Sequence, residues 1–363
     1  MTYPVRIIEE KIDRFQKKRL TYRPTPVSKL SGLSKHLNGP HLWTKREDLT
    51  GLALGGNKSR KLEYIIQDVI ERRADAIITW GSIQSNWCLQ TAAAARKYGI
   101  KPVLLLFETY ETQKIMDGNL LLDFILDADI RIKSAQKGRV VKADDVEEIM
   151  EEVFHEAVER GDKAYIIPIG GSMPGGSMKL PLGAVAYVDA YIELRKQMKA
   201  FKEDLDYIIL ASGSGGTQAG LLAGAQLCGD STRIMGISVS EDRGSFSQDI
   251  KKVSDDVVDC LGLKTDFRDE DIIVFDDYRA GGYGELNKEV AEAIRLMAVT
   301  EGIFIDPIYT GKAVAALIDL IHKGRFKKED NVLFLHTGGA SALFPHKEGI
   351  KNFLLKDEKS GTR

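Results

Sequence analysis

The sequence predicts an α/β protein of open, twisted, parallel-type sheets with helices on both faces. Three observations predict it. Short apolar runs such as Ala76–Trp80, Tyr207–Leu210 and Val332–Leu335 have the length of buried strands. Runs with apolar residues at helical spacing alternate with them, the pattern of parallel strands joined by helical crossovers. Glycine-bearing turns stand at strand-to-helix junctions, at 81–86, 170–176 and 213–217. At 363 residues, 43% hydrophobic and 29% charged, the chain is an ordinary globular sequence long enough for two domains.

Taken in order, residues 1–20 are charged and predict a helical start. Tyr22-Arg23-Pro24-Thr25-Pro26 reads as extended, because a residue before proline is pushed out of the helical region. Leu42 to Leu49 alternates weakly and predicts a strand leading to a polar loop. Helix 61–73 follows, with Leu62, Ile65, Ile66, Val69 and Ile70 on one face. After strand 76–80 the spacing predicts helix 88–98 stopped by Gly99, strand 103–107, helix 120–126, strand 129–132, helix 143–159 and strand 165–169. Helix 182–199, strand 207–210, helix 218–227, strand 234–239 and helix 246–260 come next. Strand 272–275, helices 286–300 and 311–323 and strand 332–335 complete the alternation. The tail from Lys356 is polar and expected to fray. No internal repeat or low-complexity linker interrupts the pattern.

Charge and cysteine usage exclude several classes. The formal net charge is −2 with no long run of one sign, which argues against nucleic acid or a membrane surface as partner. No apolar run reaches transmembrane length, and the first twenty residues lack the apolar stretch of a secretory leader. Cys88, Cys228 and Cys260 are odd in number and widely spaced, against a disulfide framework and in keeping with a cytoplasmic protein. The six histidines show no metal-ligand spacing, so no metal is expected.

The chemistry concentrates in a few turns. Gly55-Gly56-Asn57-Lys58 delivers a lysine to the start of a helix, where desolvation and the positive helix end favour loss of its proton. Such an amine is a candidate nucleophile toward a carbonyl, and the same stretch also suits a solvated surface lysine. Gly213-Ser214-Gly215-Gly216-Thr217 lies between a strand and a helix, where free N–H groups and hydroxyls suit a phosphate cradle and the glycines also suit an ordinary tight turn. It has neither the GKS/T ending of a P-loop nor GxGxxG spacing. A phosphate site without nucleotide machinery, together with a lysine nucleophile, points to pyridoxal phosphate (PLP). Ser85 and Asn86 stand at a helix N-terminus suited to a carboxylate, and either also suits a plain cap. Tyr283 lies in a glycine turn, Tyr309 at a helix mouth, and His336-Thr337 at a strand end. Strand ends are where open α/β sheets bind ligands.

Together these segments resemble the family of D-cysteine desulfhydrases and 1-aminocyclopropane-1-carboxylate (ACC) deaminases, PLP enzymes of the tryptophan-synthase-β-like fold (fold type II). The resemblance runs from about Pro24 to Phe344 through KREDLTGLALGGNKSRKLE, GSIQSN, ASGSGGTQAG, DPIYTGK and LHTGG. It implies that Lys58 binds the cofactor aldehyde and moves the substrate's α-proton. It implies further that Asn86 meets the cofactor's phenolic oxygen and that Ser85 meets the substrate carboxylate. Gly213, Ser214, Gly215, Gly216 and Thr217 would form the phosphate loop, with Tyr283 and Tyr309 as the active-site tyrosines. A small domain at 61–170 set into a large one (1–60 and 171–363) is implied, with PLP between them. A homodimer and a small amino-acid substrate are implied as well.

Two positions separate the family's activities. Ring-opening deaminases of this family carry Glu after the tyrosine and Leu after the histidine, where this chain has Thr310 and Thr337. A carboxylate beside the pyridine nitrogen keeps it protonated, whereas a hydroxyl suffices when a good β-leaving group departs. The resemblance therefore implies elimination from D-cysteine to pyruvate, sulfide and ammonia. ACC deamination, elimination from another β-substituted amino acid such as L-cysteate or a serine analogue, and PLP binding without turnover are the alternatives. The chain departs from the family pattern at Trp87-Cys88-Leu89 and in a longer loop at 172–182.

Overall fold

Residues 1–110, 116–138 and 140–359 are described by the computed structural model, and they build two separate sheets. The chain opens with helix α1 (Val5–Ile12), strand β1 (Val27–Lys29), helix α2 (Ser31–Leu37) and strand β2 (His41–Arg46). Helix α3 (Lys58–Glu71) leads into β3 (Ala76–Ser82), α4 (Asn86–Lys97), β4 (Lys101–Glu108) and α5 (Gly118–Ile125). Next come β5 (Asp129–Ser134), α6 (Glu147–Glu159), β6 (Ala164–Ile166) and α7 (Leu182–Phe201). The order continues with β7 (Tyr207–Ser212), α8 (Gly216–Cys228), β8 (Arg233–Ser238), α9 (Arg243–Cys260) and β9 (Ile273–Phe275). Helices α10 (Lys288–Glu301) and α11 (Thr310–His322), strand β10 (Asn331–His336) and helix α12 (Lys347–Lys359) close it.

The smaller sheet has the order β5-β4-β3-β6 and is parallel throughout. All seven residues of β3 are buried, as expected of a parallel strand covered on both faces. The larger sheet has the order β1-β2-β10-β7-β8-β9, parallel except where β1 pairs antiparallel with β2. In each sheet the chain steps outward and then returns to the far side of its starting strand. β6 returns beside β3, and β10 returns beside β7. At such reversals the crossovers leave on opposite faces and a crevice opens beyond the strand ends. Ser82 ends β3 and Ser212 ends β7, so both crevices begin at predicted site turns.

The alternation read from the sequence holds along most of the chain, with shifted boundaries. The strand expected over 42–49 ends at Arg46, and Glu47–Leu49 form a 3-10 turn. The strand expected over 165–169 stops at Ile166, two residues before Pro168, which has no N–H to give a ladder. Strand β1 and helices α2 and α12 were not expected, being short or weakly periodic. The tail expected to fray is helical to Lys359, and 360–363 lie outside the described residues. Among the described residues no helix is long and apolar enough to cross a membrane.

Helix α3 is fixed by charge rather than by apolar contact alone. Arg60, wholly buried, donates through Nε to Glu47 Oε2 at 2.6 Å and through Nη2 to Glu193 Oε1 at 2.7 Å. Lys45 Nζ meets Glu193 Oε1 at 2.5 Å, and the Thr25 hydroxyl donates to Glu47 Oε1 at 2.6 Å. Despite burial, Arg60 holds the Glu47 carboxyl low, and the contacts of Arg60 and Lys45 draw Glu193 down to about 2. Glu193 comes from α7, where twelve of twenty residues are buried, so the network ties α3 to the central helix. Removing one partner of a buried pair strands the other charge, at a cost of about 3–5 kcal/mol. Arg60→Met is therefore expected to lower the urea midpoint by that amount of stability, and a loss below about 1 kcal/mol would contradict this account.

Candidate active site

Lys58 is the first residue of α3, and its turn is held from three sides. Gln90 Nε2 donates to Gly55 O at 3.1 Å, the Thr50 hydroxyl to Gly56 O at 2.9 Å, and Asn57 N to Thr337 O at 3.1 Å. Gly56 has φ +131°, and a Cβ there would stand 2.5 Å from Gln90 Nε2, so only glycine lets the turn close. Lys58 Nζ donates to Asn57 Oδ1 at 3.3 Å, while Asn57 Nδ2 donates to Thr217 Oγ1 at 3.0 Å. One amide thus joins the lysine to the glycine loop. Lys58 is enclosed by protein but keeps part of its surface on a cavity that it lines. Enclosure lowers its pKa to about 8, against the opposing pull of the Asp306 carboxylate.

The glycine loop lines the same cavity through Gly213, Ser214, Gly215 and Thr217. Helix α8 starts at Gly216 without a side-chain cap, and Gly215 before it is left-handed at φ +75°. A Cβ on Gly216 would lie 2.1 Å from Ser172 Oγ, so the hydroxyl of the longer 172–182 loop closes over the helix start. Ser172 Oγ and Ser214 Oγ are 3.1 Å apart, and Lys61 Nζ donates to Ser172 Oγ at 3.0 Å and Gly170 O at 3.1 Å. Lys61 is wholly buried, and its pKa falls well below 10.5 through burial first and the Lys58 charge second. Its place one turn after Lys58 was the available signal, and sequence reasoning passed over it.

Opposite lie the hydroxyls. Tyr283 OH is 3.0 Å from Ser82 Oγ and in hydrogen-bond contact with Tyr309 OH, the two rings meeting edge-on with centroids 5.9 Å apart. Burial pushes Tyr283 up to about 12 and Tyr309 well above 10, so both phenols are neutral at physiological pH. Thr337 lines the cavity. Thr310 does not stand with it: its hydroxyl donates to Asp306 Oδ1 and accepts from Asp306 N at 2.7 Å, and its side chain is off the cavity wall. Asp306 Oδ2 takes the N–H groups of Ile308 and Tyr309, both at 2.9 Å, and Oδ1 takes that of Thr310 at 2.8 Å. This buried carboxylate caps α11 and positions Tyr309.

On the other sheet, Ser85 caps α4, accepting from Cys88 N at 3.2 Å. Asn86 Oδ1 accepts from Asn119 Nδ2 at 2.8 Å, which fixes the amide's orientation. Nothing in the local sequence around Asn119 announces that role. Trp87 lines the cavity but donates its N–H to Thr79 Oγ1 at 2.8 Å and packs beside Gly171. Cys88 is wholly buried and burial raises its thiol far above 9, so it is a packing residue rather than a reactive one.

Residues 18–338 match the family described as pyridoxal-phosphate dependent enzyme. A D-cysteine desulfhydrase of Klebsiella pneumoniae is 38% identical over 340 residues, covering 93% of this chain and 98% of that protein. A Pyrococcus furiosus protein provisionally named as an ACC deaminase is 38% identical over 350 residues, covering 96% of this chain and 99% of that one. The crystal structure of an ACC deaminase homologue superposes with a TM-score of 0.85 at 33% identity, covering 97% and 100% of the two chains. The cavity fits the family's cofactor. It joins an amine of lowered pKa to an uncapped helix start, and its wall holds two buried hydroxyls without protein partners, Ser212 and Thr109.

The lowered pKa of Lys58 sets a pH signature. Below about 8 the amine carries a proton and cannot attack an aldehyde; above it the amine is free. Uptake of PLP by cofactor-free protein, trapped with borohydride and located by mass spectrometry, is expected on Lys58 with a rate that levels off above that pH. Labelling elsewhere, or a rate still climbing at pH 10, would contradict the assignment.

Proposed function

Since the chain belongs to the pyridoxal-phosphate dependent enzymes and is a lyase of that family, we propose that it eliminates sulfide from D-cysteine. The net reaction takes D-cysteine and water to pyruvate, hydrogen sulfide and ammonia. The observation that carries the reading is the meeting, in one cavity, of the Lys58 amine, the glycine loop and the neutral Tyr283–Tyr309 pair. When bound, PLP supplies an aldehyde for the substrate's amino group and a conjugated ring that accepts the electron pair left at Cα.

The chain's residues do the rest. Gly213, Ser214, Gly215, Gly216 and Thr217 would hold the phosphate at the start of α8, with the Lys61 amine behind Ser172. Asn86, oriented by Asn119, would hold the cofactor's phenolic oxygen, and Thr337, on the same cavity wall, would be a further contact for it. Ser85 and the first N–H groups of α4 receive the substrate carboxylate. Lys58, once free, takes the α-proton, a positioned base contributing about 10²–10⁴-fold. A phenol of the tyrosine pair gives a proton to the departing sulfur, and Ser82 holds Tyr283 in place for it.

We place the cofactor between a small domain at 61–170 and a large one (1–60 and 171–363), on the strength of the two separate sheets and of the cavity lined by residues from both. A cytoplasmic homodimer goes with the likeness to the desulfhydrases. ACC ring opening is the second reading, favoured by the likeness to the Pyrococcus furiosus protein and the ACC deaminase homologue. Thr310, occupied by Asp306, and Thr337 stand where ring-opening members carry Glu and Leu, which favours elimination.

Purified holoprotein is expected to release pyruvate and sulfide from D-cysteine faster than from L-cysteine. Release of 2-oxobutanoate from ACC with no pyruvate from either enantiomer reverses the order of the two readings. Bound cofactor with no keto acid from any amino acid leaves a PLP-binding protein. Lys58→Ala is expected to lose about 10²–10⁴-fold or more in kcat while the fold is kept, and full turnover by it would remove Lys58 from the mechanism. Tyr283→Phe is expected to lower kcat for cysteine more than for β-chloroalanine, whose chloride leaves without a proton; equal losses would deny the phenol its role as proton donor.

A further inference from the structure

Lys312 has no part in the chemistry above, yet its side chain is wholly buried. It stands three residues after Tyr309 in the first turn of α11. Its Nζ donates to the backbone carbonyls of Arg279 and Gly282, both at 2.7 Å, and to that of Val239 at 3.3 Å. An ammonium has three donors and no acceptor, so these carbonyls satisfy it completely. Two of them belong to the loop between β9 and α10 that presents Tyr283, and the third follows β8.

That loop needs holding. Ala280, Gly281 and Gly282 have φ of +55°, +95° and +155° in succession, and an alanine adopts the left-handed region only where its surroundings impose it. Tyr283 N then donates to Gly138 O at 2.8 Å, so the tyrosine is pinned just beyond the strained stretch. The charges facing Lys312 are Asp306 and Glu285, which favour the cation, and Arg279, which opposes it. Burial is the largest influence and brings its pKa to about 8, which leaves the ammonium charged at neutral pH.

We infer that Lys312 is a positioning residue: its ammonium clamps the carbonyls of Arg279 and Gly282 to α11 and so sets the Tyr283 hydroxyl against that of Tyr309. The two phenols stand on either side of α10 in the chain, and one side chain three residues from Tyr309 fixes the backbone one residue from Tyr283. The inference rests on the reading above that Tyr283 takes part in the reaction.

The test is a double-mutant cycle on the holoenzyme with D-cysteine and β-chloro-D-alanine, alongside hydrogen exchange of the cofactor-free protein. Lys312→Met is expected to lower kcat about ten- to hundredfold, the scale of a displaced catalytic group, with a smaller change in KM. In the Tyr283→Phe background the same substitution is expected to cost less than about threefold more, because residues acting through one another are not additive. Amides of 279–284 are expected to exchange faster in Lys312→Met, with α8 and β3 unchanged. Additive losses in the cycle, wild-type kcat in Lys312→Met, or unchanged exchange at 279–284 would each overturn the inference. Full turnover by Tyr283→Phe with faster exchange in Lys312→Met would instead overturn the role of Tyr283 and leave the clamp standing. If Lys312→Met does not fold, Lys312→Leu, which likewise has no donor, carries the same cycle and the same outcomes.

Discussion

The buried contact of Arg60 with Glu47 and Glu193 is the constraint on which the site depends. Helix α3 carries Lys58 and Lys61 on its first turn, and enclosure disfavours the charged form of both amines. A helix bearing two such groups at its positive end would swing toward solvent unless something stronger held it. Arg60 sits between them in sequence and turns the opposite way, into two carboxylates. Tyr187, from the same central helix as Glu193, adds hydroxyl contacts to Glu47 Oε2 at 3.0 Å and to Asn57 O at 3.2 Å. The amine's lowered pKa is thus a property of how the helix is moored as much as of what lies around the amine.

The two sheets contribute in different ways. The larger one offers backbone: an uncapped helix start after β7 and a carbonyl at Thr337 after β10. The smaller one offers side chains: Ser82, Ser85 and Asn86 after β3. Both sets stand where the strand order of their own sheet reverses, and residues of both line one cavity. Asp306 then organises the C-terminal contribution, because one carboxylate caps α11, occupies Thr310 and faces Lys58.

Much of this was legible in the sequence, and the limit of legibility has a physical shape. Lys58, Ser85, Asn86 and the glycine loop were visible because each lies at a junction where periodicity changes and local turn chemistry is strong. Thr310 was read for its neighbour in the motif, whereas its hydroxyl is consumed by the carboxylate four residues earlier. Asn119, Lys61 and Lys312 act across 33, 111 and 30 residues of chain respectively. Helical periodicity places such residues on a face but says nothing of which distant loop that face will meet. The antiparallel β1 was missed for a similar reason, since its three residues pair with β2 across a whole helix.

Asn57 makes the amine and the cradle partners in one thermodynamic cycle. Its carbonyl oxygen reads the Lys58 ammonium while its amide nitrogen reads the Thr217 hydroxyl. If an anion settling against Thr217 shifts that amide, it changes how readily Lys58 gives up its proton. Reciprocity then demands that protonation of Lys58 alter the anion's affinity by the same factor. A single side chain with no catalytic duty of its own would make occupancy at one end of the cavity and reactivity at the other two faces of one equilibrium.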